Sequence, residues 1–237
     1  MKTNSTPNMV ASYLNVRFAI GVLAVSLPFL LLLICLIYSI QIQESVSAFY
    51  YVPQARNWFV AILCCVGIFL LCYRGYPVGP KIPILHKLSE TLLHRIMGFS
   101  AIAVGMLPTT HPYCKTEKGC PPNWNWIDTS AATLHVFFAV LLFSSMAVVA
   151  YFYFPNLQFK TQNLKQRTQE RNGHIYRACG MVIFFVGIVW GILRIVNIET
   201  LTLFWVELLC VIAFGFAWLV KSHLSLKQFL SSITPSP

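Results

Sequence analysis

The sequence predicts an all-α protein, a polytopic bundle of six transmembrane helices, and three observations carry this prediction. Of the 237 residues, 57% are hydrophobic and only 10% are charged. The mean hydropathy of +0.67 is above that of soluble globular domains. Six apolar runs approach the roughly 20 residues that a helix needs to cross a bilayer. Lysine and arginine also alternate in density from one connecting loop to the next, as they do in multi-pass proteins.

The predicted spans follow one another with short polar connections. They are 18–40, 58–73, 92–107, 131–154, 175–195 and 201–220. A cytoplasmic N-terminus, 1–17, precedes the membrane domain 18–220, and a cytoplasmic tail, 221–237, follows it. Because a segment in lipid must satisfy its own backbone hydrogen bonds, each run is predicted as a helix. The third run is short, and it spans only if Ser89 to Arg95 begin the helix at the headgroup level.

Basic residues give the predicted orientation. Of the 17 lysines and arginines, only Arg56, Lys115, Lys118 and Arg194 fall on one side of the six-span topology. Cytoplasmic loops are enriched in these residues, so the other side, which includes both termini, is predicted to be cytoplasmic. The net charge of +10 is scattered over short loops and forms no basic face, so no nucleic-acid partner is predicted.

Two cysteines differ from the other six, which lie in apolar runs. Cys114 and Cys120 lie in the predicted outer loop, beside Pro112, Pro121 and Pro122. Disulfides persist in oxidising compartments outside the cytoplasm, so this pair is a candidate disulfide. Two unpaired surface thiols are the alternative.

Ionisable side chains within the membrane are costly and often functional. Glu207 lies near the outer end of the sixth span, and Arg194 of the fifth span is its predicted partner. His135 lies just over one turn into the fourth span. The other candidate ligand-binding residues lie in or just after the first outer loop: Ser47, Tyr50, Tyr51 and Arg56. If all these side chains converge, they form an outward-facing polar pocket.

Each of these candidates also has a structural interpretation. Glu207 and Arg194 could form an ion pair that only fixes helix packing. His135 could be a hydrogen-bonded packing residue, and the loop aromatics could anchor the protein at the headgroup level.

A second polar set lies on the predicted cytoplasmic side. His86, Glu90 and His94 are spaced four residues apart, and His174 begins the fifth span. This spacing places side chains on one helix face, and imidazole and carboxylate are ordinary zinc ligands. Pro83 leaves the helix start open, so no metal site is predicted and these four residues are candidates only. Walker-type, HExxH, GxSxG and CxxCH motifs do not occur, and no cofactor is predicted.

Several stretches resemble a family of uncharacterised bacterial multi-pass membrane proteins, a domain of unknown function. They read SVSAFYY from Ser45, RNWFV from Arg56, YRGY from Tyr73, LPT from Leu107, LHVFF from Leu134 and NGHIY from Asn172. The resemblance covers most of the chain in the same order. It implies a fold and a bacterial inner membrane, and it implies no reaction.

A more distant likeness is to the alkaline ceramidase and progestin-receptor-like membrane hydrolases. The likeness implies zinc held between three histidines, with an aspartate and a serine nearby. The pair of histidines expected on a late span is missing here, and Asp128, the only aspartate, is predicted to lie in a loop. The zinc site is therefore not carried over to this chain.

Three functions fit these observations. The favoured one is a non-enzymatic protein that binds or moves a membrane lipid or small amphiphile in the outward-facing pocket. The first alternative is a membrane-embedded, metal-dependent hydrolase of a lipid amide or ester. The second is a structural protein in which Gly187-x-x-x-Gly191 forms a close-contact seam inside the bundle or between protomers.

Overall fold

A computed structural model gives the fold of the chain. It describes residues 5–75, 88–111, 114, 120–123, 125–155, 165–195 and 203–233. Within these ranges, side chains are described from residue 15 onwards in the first helix, for 173–192 in the fifth helix and for 203–222 in the sixth. The α-helices are α1 Ser5–Tyr38, α2 Pro53–Cys72, α3 Glu90–Met106, α4 Trp126–Val148, α5 Lys165–Ile195 and α6 Leu203–Ile233. A 3-10 turn, Ser47–Tyr51, precedes α2, and α4 continues into a π-helical turn, Val149–Tyr153. The described residues contain no strand, and the predicted all-α fold is confirmed.

Five of these helices contain a segment long and apolar enough to cross a membrane. The segments are Asn15–Tyr38, Pro53–Cys72, Trp126–Tyr153, Gly173–Ile192 and Leu203–Ser222. No more than half of each is buried inside the bundle. The remaining apolar surface needs an apolar solvent, so the chain is a multi-pass membrane protein.

The third helix is shorter than the other five. α3 has 17 residues, which gives a length of about 26 Å against a hydrocarbon core of about 30 Å. It begins at Glu90, within the stretch Ser89 to Arg95 predicted to begin the helix, and the Ser89 side chain accepts a hydrogen bond from the Leu92 N–H at 3.1 Å. Such an N-cap satisfies a backbone donor that the first turn leaves open.

The helices form a closed ring in chain order. Each helix packs against the one before it and the one after it, and α6 closes the ring against α1. Close approach depends on glycine at two of these contacts. A Cβ atom added to Gly98 of α3 would lie 2.6 Å from the carbonyl oxygen of Gly67 of α2. Gly21 of α1 and Gly215 of α6 meet in the same way, with carbonyl oxygens 3.0 Å from the added Cβ positions.

The predicted seam at Gly187-x-x-x-Gly191 is not formed inside the bundle. No described atom lies within 4 Å of a Cβ added to either glycine. The prediction of an internal seam on this face is therefore wrong for the described part of the chain, and a contact between protomers stays a prediction.

One local prediction also needs correction. Asp128 was expected in a loop, but it lies in the first turn of α4. There it forms a capping box with Asn125: the Asn125 Oδ1 accepts from the Asp128 N–H at 3.3 Å, and the Asp128 Oδ2 accepts from the Asn125 N–H at 3.0 Å. An acidic residue in this position complements the positive end of the helix dipole.

Candidate functional site

One end of the bundle, here called the disulfide end, carries the connection 39–52 and the described residues between α3 and α4, which are 107–111, 114, 120–123 and 125. The start of α6 holds the first of them in place. The Phe204 N–H donates to the Glu44 carbonyl oxygen at 2.7 Å, and the Val46 N–H donates to the Glu207 Oε2 at 2.6 Å. Glu207 is buried, so its carboxylate positions the residues that lead into the 3-10 turn.

A cavity of about 430 Å³ lies beside this connection, between α4, α5 and α6. We call it the α4–α6 cavity. Most of its lining is apolar, and its polar lining residues are Ser45, Ser47, Thr109, His135, Ser144 and Glu207. All of these except Ser144 belong to the disulfide end or to helix turns near it. The cavity therefore has one polar end and an apolar body that runs along α4.

His135 shows the polar chemistry of this end. It is 2% exposed, and its Nδ1 lies 2.9 Å from the Leu107 carbonyl oxygen. Because a carbonyl oxygen only accepts hydrogen bonds, Nδ1 carries the proton in the neutral imidazole. The other ring nitrogen, Nε2, is then an acceptor, and it has no hydrogen-bond partner among the described residues.

The cavity opens sideways between α4 and α5. Four of its lining residues are also exposed on the outer surface of the bundle: Val136 and Val140 of α4 at 53% and 61%, and Phe184 and Ile188 of α5 at 55% and 41%. This surface belongs to two helices that are apolar enough to span a membrane. The opening therefore faces the region that lipid would occupy.

The predicted ligand-binding residues divide between two places. Ser47, His135 and Glu207 line the α4–α6 cavity. Tyr50 and Tyr51 instead line a separate recess that includes His111. The single cavity expected for all seven candidates does not form from the described residues.

Arg56 lies with the tyrosines. Its guanidinium carbon lies 4.4 Å from the centroid of the Tyr50 ring, and it donates to the Tyr50 hydroxyl at 2.8 Å. The Tyr51 hydroxyl donates to the Thr109 carbonyl oxygen at 2.5 Å, and burial raises the pKa of this phenol to about 12. The Arg194 side chain lies outside the described residues, so its pairing with Glu207 stays a prediction.

The two candidate disulfide cysteines lie next to each other. The Cys114 and Cys120 sulfur atoms are 2.08 Å apart, as a disulfide.

The opposite end of the bundle contains a buried ion cluster, which consists of Arg17, Tyr73, Glu90 and Lys221. The Lys221 Nζ lies 2.6 Å from the Glu90 Oε1, and both side chains are 1% exposed. The Arg17 guanidinium donates to the Tyr73 hydroxyl at 3.2 Å, and this hydroxyl donates to the Glu90 Oε1 at 3.4 Å. The cluster thereby links α1, the end of α2, α3 and α6.

His94 packs against this cluster. It is fully buried, its Nδ1 lies 2.7 Å from the Glu90 carbonyl oxygen, and its ring lies 4.4 Å from that of Tyr73. His174 is exposed, and His86 lies outside the described residues. Within the described ranges, no three histidine, cysteine or acidic side chains come together in a way that could hold a metal.

Sequence reasoning missed the two cations of the cluster. Arg17 and Lys221 directly precede and follow predicted spans, and they were used only as markers of the cytoplasmic side. The sequence contains one weak indication of a buried Lys221, which is Trp218 one turn before it. The Trp218 ring is one of the aromatic rings around the ammonium group.

Comparison with known proteins finds no protein family, curated protein or solved structure that matches the chain.

Proposed function

We propose that this protein binds or moves a membrane lipid or small amphiphile in the α4–α6 cavity. The observation that supports the proposal is a cavity with a polar end and an apolar body that opens towards the lipid-facing surface. Its volume of about 430 Å³ lies in the range of small-molecule sites. An amphiphile matches both parts of such a cavity.

The ligand would lie along α4. His135 and Ala147 mark the two ends of the lining on this helix, and the rise between them is about 18 Å. The hydrocarbon chain would lie against the apolar side chains of α4, α5 and α6. There it would take the place of bulk membrane lipid, which otherwise contacts these side chains. The head group would lie beside Ser47, His135 and Glu207, whose polar atoms otherwise lie at the edge of an apolar space.

The proposal includes a membrane topology. α3 begins in the buried ion cluster and leads to Leu107, which contacts His135 near the disulfide end, so it runs from one end of the bundle to the other. We propose six crossings with both termini in the cytoplasm of a bacterial inner membrane. The basic residues and the disulfide support this orientation, and membership in the uncharacterised bacterial family is proposed on the sequence resemblance.

Gly187→Leu tests the binding proposal. Gly187 lines the cavity, and a Cβ atom added there meets no described atom within 4 Å, so there is room for a larger side chain to enter the cavity. Gly191→Leu is the matched control, because Gly191 is equally open but is not part of the lining. Mass spectrometry of lipid that copurifies with the full chain is expected to show a bound amphiphile in the wild type and in Gly191→Leu, and at least tenfold less in Gly187→Leu.

Equal lipid content in the three proteins, at equal thermal stability, would contradict the proposal. A metal-dependent lipid hydrolase and a structural protein without ligand stay the alternatives. Zinc bound in stoichiometric amount by elemental analysis would favour the hydrolase.

A further inference from the structure

We infer that the α4–α6 cavity binds uncharged amphiphiles whose head group is a hydroxyl, and that His135 is the residue that recognises this hydroxyl. The inference rests on the proposed function and adds the chemical class of the ligand. Three features carry it: an open hydrogen-bond acceptor on His135, the fixed orientation of its ring, and the serine hydroxyl groups at the same end of the cavity.

The acceptor is the Nε2 atom of His135. The Nδ1 atom lies 2.9 Å from the Leu107 carbonyl oxygen, so it carries the proton of the neutral ring and leaves a lone pair on Nε2. Nε2 has no partner among the described residues. The fully buried polar atoms without a partner include the Nε2 of His94 but not that of His135, so the His135 Nε2 is open to the cavity that its ring lines. A head group gains a hydrogen bond there only if it donates one.

The orientation of the His135 ring is fixed by its surroundings. The side chain is 2% exposed, and a half-turn of the ring would place a carbon atom opposite the Leu107 carbonyl oxygen. The loss of that hydrogen bond opposes the turn. The acceptor is therefore already in place before a ligand arrives, and binding does not have to order it.

The serine hydroxyl groups supply a complementary donor. The Ser45 Oγ accepts from the Ala48 N–H at 3.0 Å, and its own proton has no acceptor among the described residues. Ser47 lines the same end of the cavity. An alcohol both donates and accepts through one oxygen, whereas an ether only accepts and an alkane does neither. The single oxygen of an alcohol therefore matches both kinds of group at this end.

Glu207 is not needed for this recognition. Its Oε2 is engaged by the Val46 N–H at 2.6 Å, and the residue makes a further interaction. An alcohol and its methyl ether are both uncharged, so a comparison between them does not depend on the charge of this carboxylate or of its neighbours.

Displacement of tritium-labelled dodecanol from the full chain in uncharged detergent tests the inference. The unlabelled competitors are dodecanol, dodecyl methyl ether and dodecane, each at a known mole fraction in the micelle, so that partition from water does not affect the comparison. Gly187→Leu gives the background of label that the micelle holds. The ether is expected to compete about fivefold to tenfold more weakly than the alcohol, because it leaves the imidazole acceptor without a donor. Dodecane is expected to compete no better than the ether.

His135→Asn separates recognition from packing. The asparagine amide nitrogen is bonded to Cγ, as Nδ1 is, so it can still donate to the Leu107 carbonyl oxygen, but no acceptor remains at the position of Nε2. The ratio between alcohol and ether is expected to fall below about twofold. His174→Asn makes the same chemical change at an exposed position of the opposite end, and it is expected to keep the wild-type ratio. An unchanged ratio in folded His135→Asn would overturn the role of His135.

The outcomes distinguish a failure of the head-group inference from a failure of the proposed function. If the ether displaces the label as well as dodecanol does, the head-group inference is wrong and the binding site stands. The same holds if the label does not bind above background while more lipid copurifies with the wild type than with Gly187→Leu. If the label does not bind and the copurified lipid is also equal, the proposed function fails. The wild-type measurements decide these questions, so they do not depend on the folding of His135→Asn.

Discussion

At the scale of single residues, the buried ion cluster shows why charged side chains persist inside this bundle. Lys221 and Glu90 are each 1% exposed, and their charged atoms lie 2.6 Å apart. The ammonium also lies 3.9 Å from the centre of the Phe154 ring, so an aromatic face replaces part of its hydration. The stability of the pair depends on both partners being present, because removing either one leaves the other buried charge without its direct counter-ion.

Lys221→Met is therefore expected to destabilise the fold by about 3–5 kcal/mol, because it removes the cation in direct contact with the buried Glu90 carboxylate. Glu90→Gln is expected to have a similar effect. The double variant, in which neither charge remains, should be more stable than either single variant. Thermal unfolding in detergent measures the stability of all three variants. Arg177→Met, at an exposed position, is the control and is expected to leave the stability nearly unchanged. A double variant as unstable as the sum of the two single variants would contradict this account.

At the scale of helices, the contact between α2 and α3 depends on two glycines that face each other. An added Cβ at Gly98 would lie 2.6 Å from the Gly67 carbonyl oxygen and 2.9 Å from the Leu71 nitrogen. These are backbone atoms, so the helices themselves must separate to make room. Each helix contributes a single glycine to this contact. A search for a repeated small-residue motif within one helix therefore does not detect it.

Gly98→Ala is expected to destabilise the protein by about 1–3 kcal/mol, the usual cost of overpacking. Gly191→Ala adds the same methyl group to α5 with no described atom within 4 Å, so it should be neutral or stabilising by up to about 1 kcal/mol through helix propensity. Thermal unfolding of the two variants makes the comparison, and equal effects would show that the close approach of α2 and α3 does not limit stability.

At the scale of the whole molecule, the two polar sites lie at opposite ends of the helical bundle. α6 carries Glu207 of the cavity and Lys221 of the ion cluster, and the helical rise between them is about 21 Å. α3 similarly connects the ion cluster to the disulfide end. The two sites therefore lie near opposite faces of the membrane if the bundle crosses it in the proposed orientation.

Thiol labelling of intact cells tests this orientation. Gln41 at the disulfide end and Arg177 at the opposite end are both exposed, so each is replaced by cysteine in a background without the free cysteines. A membrane-impermeant maleimide is expected to label Gln41→Cys in intact cells and Arg177→Cys only after the cells are opened. The reverse pattern would overturn the proposal that both termini are cytoplasmic.

The sequence by itself determined the helices and the apolar segments, because hydrophobicity over about 20 residues and the need to satisfy backbone hydrogen bonds in lipid are local properties. It also singled out Glu207 and His135, since a polar group in an apolar run is visible without a neighbour. Only the tertiary structure decided which side chains meet. Lys221 and Glu90 are 131 residues apart, and Ser47 shares a cavity with His135 and Glu207 while Tyr50 and Arg56, only a few residues further on, do not. These pairings follow from the face that each helix turns towards its neighbours, and packing of the whole ring sets that face.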